Sequence, residues 1–225
     1  MFIPDLPGKK AQMLLAPLHR LDSLSKEQNS PDGATLSAVL ALLYPCNDGN
    51  SLEEIKQWEL LLILRNSYDG VHSGQVAFPG GKCEPQDKSH AATAAREAFE
   101  ELGIEKESYR VIGELTNIYV PPSNFIIYPV LAISNSEILI DNQPDKKHLY
   151  KIEPREVVNF KRIPLYRFDP RNIKMTKVQR SNNELSDAPC YIIDDYTIWG
   201  ATAMIISELY QLVEEAKVTI SLNNA

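Results

Sequence analysis

The run from Phe78 to Ile104, FPGGKCEPQDKSHAATAAREAFEELGI, ties this chain most tightly to one kind of architecture. Its Pro79-Gly80-Gly81 turn lets the backbone come close to another group with no side chain between. The residues after it predict a helix over Ser89 to Leu102 whose small face, Ala91, Ala94, Ala95, Ala98 and Leu102, can lie close on a sheet. Gly103 is expected to end that helix as a left-handed stop, with Ile104 placed for the accompanying apolar contact. On the other side of the helix Glu97, Glu100 and Glu101 are crowded together. At about 100° per residue, Glu100 and Glu101 fall to either side of Glu97, so three carboxylates are expected to face one small volume. Like charges four residues apart cost a helix about 0.2–0.5 kcal/mol, so folding gives no reason for the cluster. A bare oxygen site for Mg²⁺ or Mn²⁺ would. Taken alone, a short Glu-rich stretch is more often a solvated helix face.

A sheet for this helix is supplied by short apolar runs bounded by turn residues. Ser37 to Tyr44 and Trp58 to Leu64 read as buried strands, joined by a polar loop. Gln75 to Phe78, Tyr109 to Leu115, Phe125 to Ile133 and Val157 to Ile163 are further strand candidates. Pro129 inside the third of these implies an edge or a bulge. Residues 135–153 and 168–188 read as polar connections. Lys10 to Leu18 is a short helical candidate, and Ala201 to Glu215 carries apolar residues at helical spacing. Strands with helices before, between and after them predict an α/β/α sandwich around a mixed sheet. The expected organisation is an N-terminal extension, 1–36, packed on one domain, 37–225.

At 225 residues and 44% hydrophobic, the chain has material for one ordinary core. A net charge of −7 argues against nucleic acid and anionic membrane as partners, because counterion release needs a dense basic surface. Cys46, Cys83 and Cys190 are odd in number and lack a CxxC pair, which fits reduced thiols in a cytoplasm. The first residues do not read as a leader, no stretch reaches the roughly 18 apolar residues of a membrane span, and no repeat is present. A cytoplasmic protein is expected.

From Gly81 onward the sequence resembles the Nudix box: Gly, five residues, Glu, seven residues, then Arg-Glu-apolar-any-Glu-Glu-any-Gly-apolar. Here Asp87 replaces the first Glu and one extra residue precedes Arg96-Glu97-Ala98-Phe99-Glu100-Glu101-Leu102-Gly103-Ile104. Upstream, LLILRNSYDGVHSGQVAFPGG is similar to the extra signature of the coenzyme A pyrophosphatase branch. Leu61, Leu62, Arg65, Gly74 and Phe78 to Gly81 fall on its marked positions. Asn66 stands where Ser or Ala is usual, and Gly70 where a second Arg belongs. The closing segment Ile198 to Ala203 also resembles that branch.

This resemblance implies the Nudix α/β/α sandwich and metal-dependent cleavage of coenzyme A or its thioesters to 3′,5′-ADP and 4′-phosphopantetheine. It implies Glu97 and Glu101 as the firmest ligands of Mg²⁺ or Mn²⁺, with Glu100 and the Gly81 carbonyl beside them. Arg96 is expected to hold a carboxylate. A distal acid serves as base in some members, and Glu156 is the candidate, ahead of Glu153. Arg65 is expected on a substrate phosphate, since a guanidinium binds phosphate through two parallel bonds. His72, Lys82 and Asn124 are weaker substrate candidates, with Ser123 and Phe125 on the same wall. Open alternatives are another nucleoside diphosphate derivative (an ADP-sugar, a dinucleotide or a damaged nucleotide) and a Nudix-like nucleotide sensor without hydrolysis. Whether the chain pairs as a homodimer is left open.

Overall fold

The computed structural model describes residues 6–17, 32–46, 51–66, 75–135, 150–179 and 184–223, without the side chains of Leu52 and of residues 216–223. Its frame is a sheet of eight strands with the central order β3-β2-β1-β7-β5. These strands are β1 (Thr35–Tyr44), β2 (Glu59–Arg65), β3 (Val76–Ala77), β5 (Tyr109–Glu114) and β7 (Phe125–Ser134). The short strand β4 (Gly80–Lys82) pairs with β1, β6 (Ile118–Val120) with β7, and β8 (Val157–Pro164) with β2. The β1–β7 pair is parallel and its neighbours are antiparallel, so the sheet is mixed, as the sequence predicts.

The two faces of β1 and β2 separate two cores. Leu40, Leu42, Leu61 and Ile63 meet Ala94, Ala98 and Leu102 of the helix α3 (His90–Leu102). Alanines on that helix face let it sit close to the sheet. On the opposite face Ala41, Leu43, Leu60 and Leu62 pack under Met204, Ile205 and Leu209 of α4 (Gly200–Asn223). The sandwich is thus helix, sheet, helix. Two short helices, α1 (Gly8–Gln12) and α2 (Leu52–Ile55), complete the described helical segments longer than three residues that are not 3₁₀. Ser207 Oγ donates to the Ala11 carbonyl, and the buried Glu208 accepts from Gln12 Nε2 and Thr116, which fastens α1 against α4.

The structure departs from the sequence expectation in two places. Pro129 lies in a central strand, opposite Val39 of β1, and neither at an edge nor at a bulge of its own strand. It is tolerated because on its other side the partner changes there from β6, which ends its pairing at Ile127, to β5, which begins at Val130. Its carbonyl still accepts from Leu115 N–H, so only the missing N–H faces the gap. The stretch read as a polar connection over 168–188 contains β9 (Lys174–Gln179) and the start of β10 (Leu185–Ile193), which with β11 (Tyr196–Trp199) form a second, three-stranded sheet. The first half of this sheet is largely exposed, so its residues lack the apolar alternation by which strands are recognised. No described helix is long and apolar enough to cross a membrane.

Candidate metal and diphosphate site

The site forms where the glycine turn meets α3. Ser89 caps the helix, its side chain accepting from Ala92 N–H at 3.1 Å, and Gly103 closes it at φ 68°. Between these ends the helix is fixed in rotation by its alanine face, and the acidic side is turned toward β4. Gly80 adopts φ 153°, and a Cβ there would overlap the backbone of Ala38 and Val39. At Gly81 a Cβ would overlap the Glu97 carboxylate. Both glycines mark a close approach, Gly80 to the backbone of the sheet and Gly81 to the end of a candidate ligand.

Glu101 is wholly buried. Its Oε2 accepts from Gly80 N–H at 2.9 Å, and its Oε1 lies 3.5 Å from Arg65 Nη1 with no hydrogen-bond partner. Burial pushes its pKa up to about 8, opposed by Arg65 and by the Gly80 N–H, and reinforced by the charges of Glu97 and Glu156. Burial also raises Glu97, while its bond to Arg96 pulls it down and Glu100 and Glu156 push it up. Glu156 is thus close enough to act electrostatically on both box glutamates, although it lies far along the chain.

Arg96 is the hub on the outer side. It donates to Asp87 through Nε and Nη2 at 3.3 and 3.1 Å, to the Lys82 carbonyl at 2.8 Å, to Glu97 at 2.9 Å and to Glu100 at 3.0 Å. Asp87 also accepts from Thr93 Oγ1 and Glu84 N–H, and its bonds to Arg96 hold its pKa below the usual carboxylate range. The acid that breaks the box pattern therefore locks the loop to the helix through Arg96.

The three carboxylates do not share one volume. Arg96 draws Glu97 and the exposed Glu100 to itself, whereas Glu101 turns to Gly80 and Arg65. Among the described residues no three acidic, imidazole or thiol side chains stand as a ready ligand cage. The donor chemistry nonetheless fits a hard divalent cation. Glu101 Oε1, buried beside Arg65 without a hydrogen bond, and the Glu97 carboxylate close against Gly81 are oxygen donors of the kind such a cation takes.

A Nudix domain model matches residues 38–179. The chain belongs to the Nudix family. This is a family of hydrolases acting on phosphoric anhydrides, and Nudix hydrolases generally use divalent metal ions. Among its relatives is the uncharacterized Nudix hydrolase NudL of Photorhabdus laumondii, 31% identical over 69% of this chain and 77% of that protein. NudL of Yersinia enterocolitica is 34% identical over 68% and 73%. The human mitochondrial coenzyme A diphosphatase NUDT8 is 32% identical over 68% of this chain and 62% of that protein.

Within this Nudix fold the remaining sequence candidates fall into different settings. Arg65, expected on a phosphate, has its Nη1 on Glu101 and, at 3.3 Å, on the Gly80 carbonyl. Its guanidinium sets the charge around the buried carboxylate. Lys82 is exposed, with its ammonium 5.7 Å from the centre of the Phe125 ring. Asn124 takes a left-handed φ of 53°, its amide donating to the Gly33 carbonyl and its oxygen accepting from Tyr119. Those bonds make it a loop brace. His72, with Gly70 and Gly74, lies outside the described residues. Sequence reasoning did not anticipate the Gly80 N–H as a partner of Glu101 or Asp87 as the anchor of Arg96, since both depend on tertiary approach. The doubled glycine was the one available sign of it.

Proposed function

We infer that this chain is a metal-dependent diphosphatase that cleaves coenzyme A or its thioesters to 3′,5′-ADP and 4′-phosphopantetheine. The observation carrying the reading is the Glu101 carboxylate of the Nudix box, buried between Gly80 and Arg65 with one oxygen free of hydrogen bonds, Gly80 and Arg65 being on positions of the signature of the coenzyme A pyrophosphatase branch. The name of the human relative points the same way.

Glu97 and Glu101 would hold Mg²⁺ or Mn²⁺, with Glu100 and the Gly81 carbonyl as further oxygen donors. The bound cation supplies Lewis acidity and neutralises charge on the diphosphate. The protein's own share is positional. Gly80 N–H orients Glu101, Arg96 donates to Glu97, and Arg65 offsets the negative charge of the pocket. Glu156, whose charge acts on both glutamates, accepts the proton of the attacking water. The water oxygen forms a bond to one phosphorus, and the bridging P–O bond breaks with its electron pair leaving on the departing phosphate. The three free thiols fit a reducing compartment such as the cytoplasm.

One observation favours a second substrate class. Gly70 replaces the second signature arginine, and Arg65 is engaged by Glu101, which leaves these two positions less able to contact a substrate phosphate. Another nucleoside diphosphate derivative is the alternative. The retained carboxylates argue against a non-hydrolytic sensor. The test is a comparison of kcat/KM with Mg²⁺ or Mn²⁺ for coenzyme A, acetyl coenzyme A, ADP-ribose, NADH, diadenosine polyphosphates and 8-oxo-dGTP. A preference for coenzyme A compounds is expected. Preference for ADP-ribose would refute the substrate, and cleavage unaffected by EDTA would refute the metal.

A further inference from the structure

Glu156 lies in an exposed turn whose backbone is bonded to the end of the box helix, and its charge acts on Glu97 and Glu101, so whatever fixes this turn fixes that charge. The turn is tight: Glu156 and Val157 N–H both donate to the Glu153 carbonyl, at 3.1 and 3.0 Å, and Arg155 N–H to Glu153 Oε1. One flank is bound to the end of the box helix, Lys151 N–H on the Leu102 carbonyl and Glu153 N–H on that of Glu101. The other flank meets β2. There the β2–β8 register slips, from Leu64 opposite Asn159 to Arg65 opposite Val157, leaving Val158 unpaired as a bulge. An extra residue reverses which way the side chains face. Val157 consequently joins the α3 core with Phe160, whereas Ile163 further along belongs to the α4 core.

Asn66 stands directly after this bulge. Its N–H donates to the Glu156 carbonyl at 2.8 Å, and its Nδ2 donates to the carbonyls of Pro154 and Arg155 at 3.0 and 3.4 Å. One residue thus bonds three successive carbonyls of the turn. It follows immediately on Arg65, whose guanidinium lies on Glu101, so the same strand end touches a candidate ligand and the backbone that bears Glu156. We propose that Asn66 is a positioning residue that clamps the turn 153–156 onto the end of β2 and thereby holds the Glu156 carboxylate at the Glu97–Glu101 pair. Serine or alanine at this position, as the coenzyme A pyrophosphatase signature has it, is too short to span two carbonyls in this way, so the clamp is a property of this chain.

The inference rests on the reading of Glu156 as the proton acceptor, and the experiment separates the two. Asn66→Ala, Asn66→Asp, Glu156→Gln and the double variant Asn66→Ala/Glu156→Gln are compared in steady-state kinetics and in amide hydrogen exchange. Aspartate keeps the size of Asn66 but has no proton to donate. Both single changes at Asn66 should lower kcat about 10-fold with KM moved less than about 3-fold, and should speed exchange at the Glu156 and Val157 amides. In the Glu156→Gln background, Asn66→Ala should cost nothing further, because its effect passes through that carboxylate. An equal loss in both backgrounds, or unchanged exchange at the turn, overturns the clamp while leaving Glu156 its role. Full activity of Glu156→Gln overturns the reading of Glu156 and the clamp with it.

Discussion

Replacing Glu101 by Gln keeps an oxygen for the Gly80 N–H and removes the charge that burial makes costly. The fold should therefore persist while turnover falls by about 10²-fold or more, the scale of a lost electrostatic group in an active site. Thermal melting together with kcat under saturating Mg²⁺ or Mn²⁺ tests both halves, and wild-type turnover would refute the assignment. The paired glycines allow a sharper contrast. In Gly81→Ala the new methyl meets the flexible end of Glu97, which can swing aside, so stability should change by less than about 1 kcal/mol while Mn²⁺ affinity drops. In Gly80→Ala the methyl meets backbone of Ala38 and Val39 at a φ that disfavours side chains, so the loss should be about 3 kcal/mol or more. Chemical denaturation and a Mn²⁺ titration of both variants distinguish the ligand-facing glycine from the sheet-facing one. Residue identities of this kind were legible because the box and its flanking signature fix them. Their pairing was not: neither the division of labour between Glu97 and Glu101 nor the use of Arg65 on Glu101 can be read from spacing along one helix.

Elements were legible in proportion to how deeply they are buried. Strands β1 and β2 carry unbroken apolar runs because both faces of them are covered, and α3 announces itself by alanines on one side and a glycine stop. The outer sheet escaped notice because β9 is mostly exposed and β10 opens on Leu185, Ser186 and Asp187, none of them buried, and holds Pro189. Pro129 misled because the rule about prolines concerns strands with continuous partners on both sides, and the partner of β7 changes beside it. The C-terminal end of α3 also holds the turn that bears Glu156 and the N-terminal end does not, which makes the two ends testable as elements. Ser89→Ala should cost about 1 kcal/mol through loss of the cap. Gly103→Ala should cost more, about 1–2 kcal/mol, since the left-handed φ penalises a side chain and the new Cβ would come within 2.8 Å of Lys151 Cβ. Because Lys151 N–H is bonded to the Leu102 carbonyl, that variant should also lose turnover, whereas Ser89→Ala, at the far end of the helix, should not lose it to the same degree. Urea unfolding and kcat on the two proteins read this out.

For the molecule as a whole, buried acidic charge opposes folding, and pH exposes that opposition. Glu101 has its pKa raised to about 8 from 4.5, chiefly by burial, and Glu97 is raised as well. A raised carboxylate binds its proton more tightly in the folded state, so between the two values the native protein holds more protons than the unfolded chain. The metal-free protein should accordingly lose stability as pH rises from about 4.5 toward 8 and level off above, by up to about 5 kcal/mol if Glu101 alone acts. Asp87 works in the opposite sense. Its pKa is lowered by Arg96, so its contribution is present above about 3.9 and lost as pH falls through the lower folded value. The metal-free protein should thus be most stable near the acidic end of its range. Divalent cation binds the ionised carboxylates, so stabilisation by Mg²⁺ or Mn²⁺ should grow with pH over the interval in which the metal-free protein weakens. Melting curves in EDTA and in Mn²⁺ at half-unit steps from pH 5 to 9, repeated on Glu101→Gln, decide the matter. In the wild type the EDTA curve should descend and the Mn²⁺ curve stay level, and in the variant the two should lie together with the descent much reduced. An EDTA profile that rises with pH would mean that burial of Glu101 does not govern the charge state of the site.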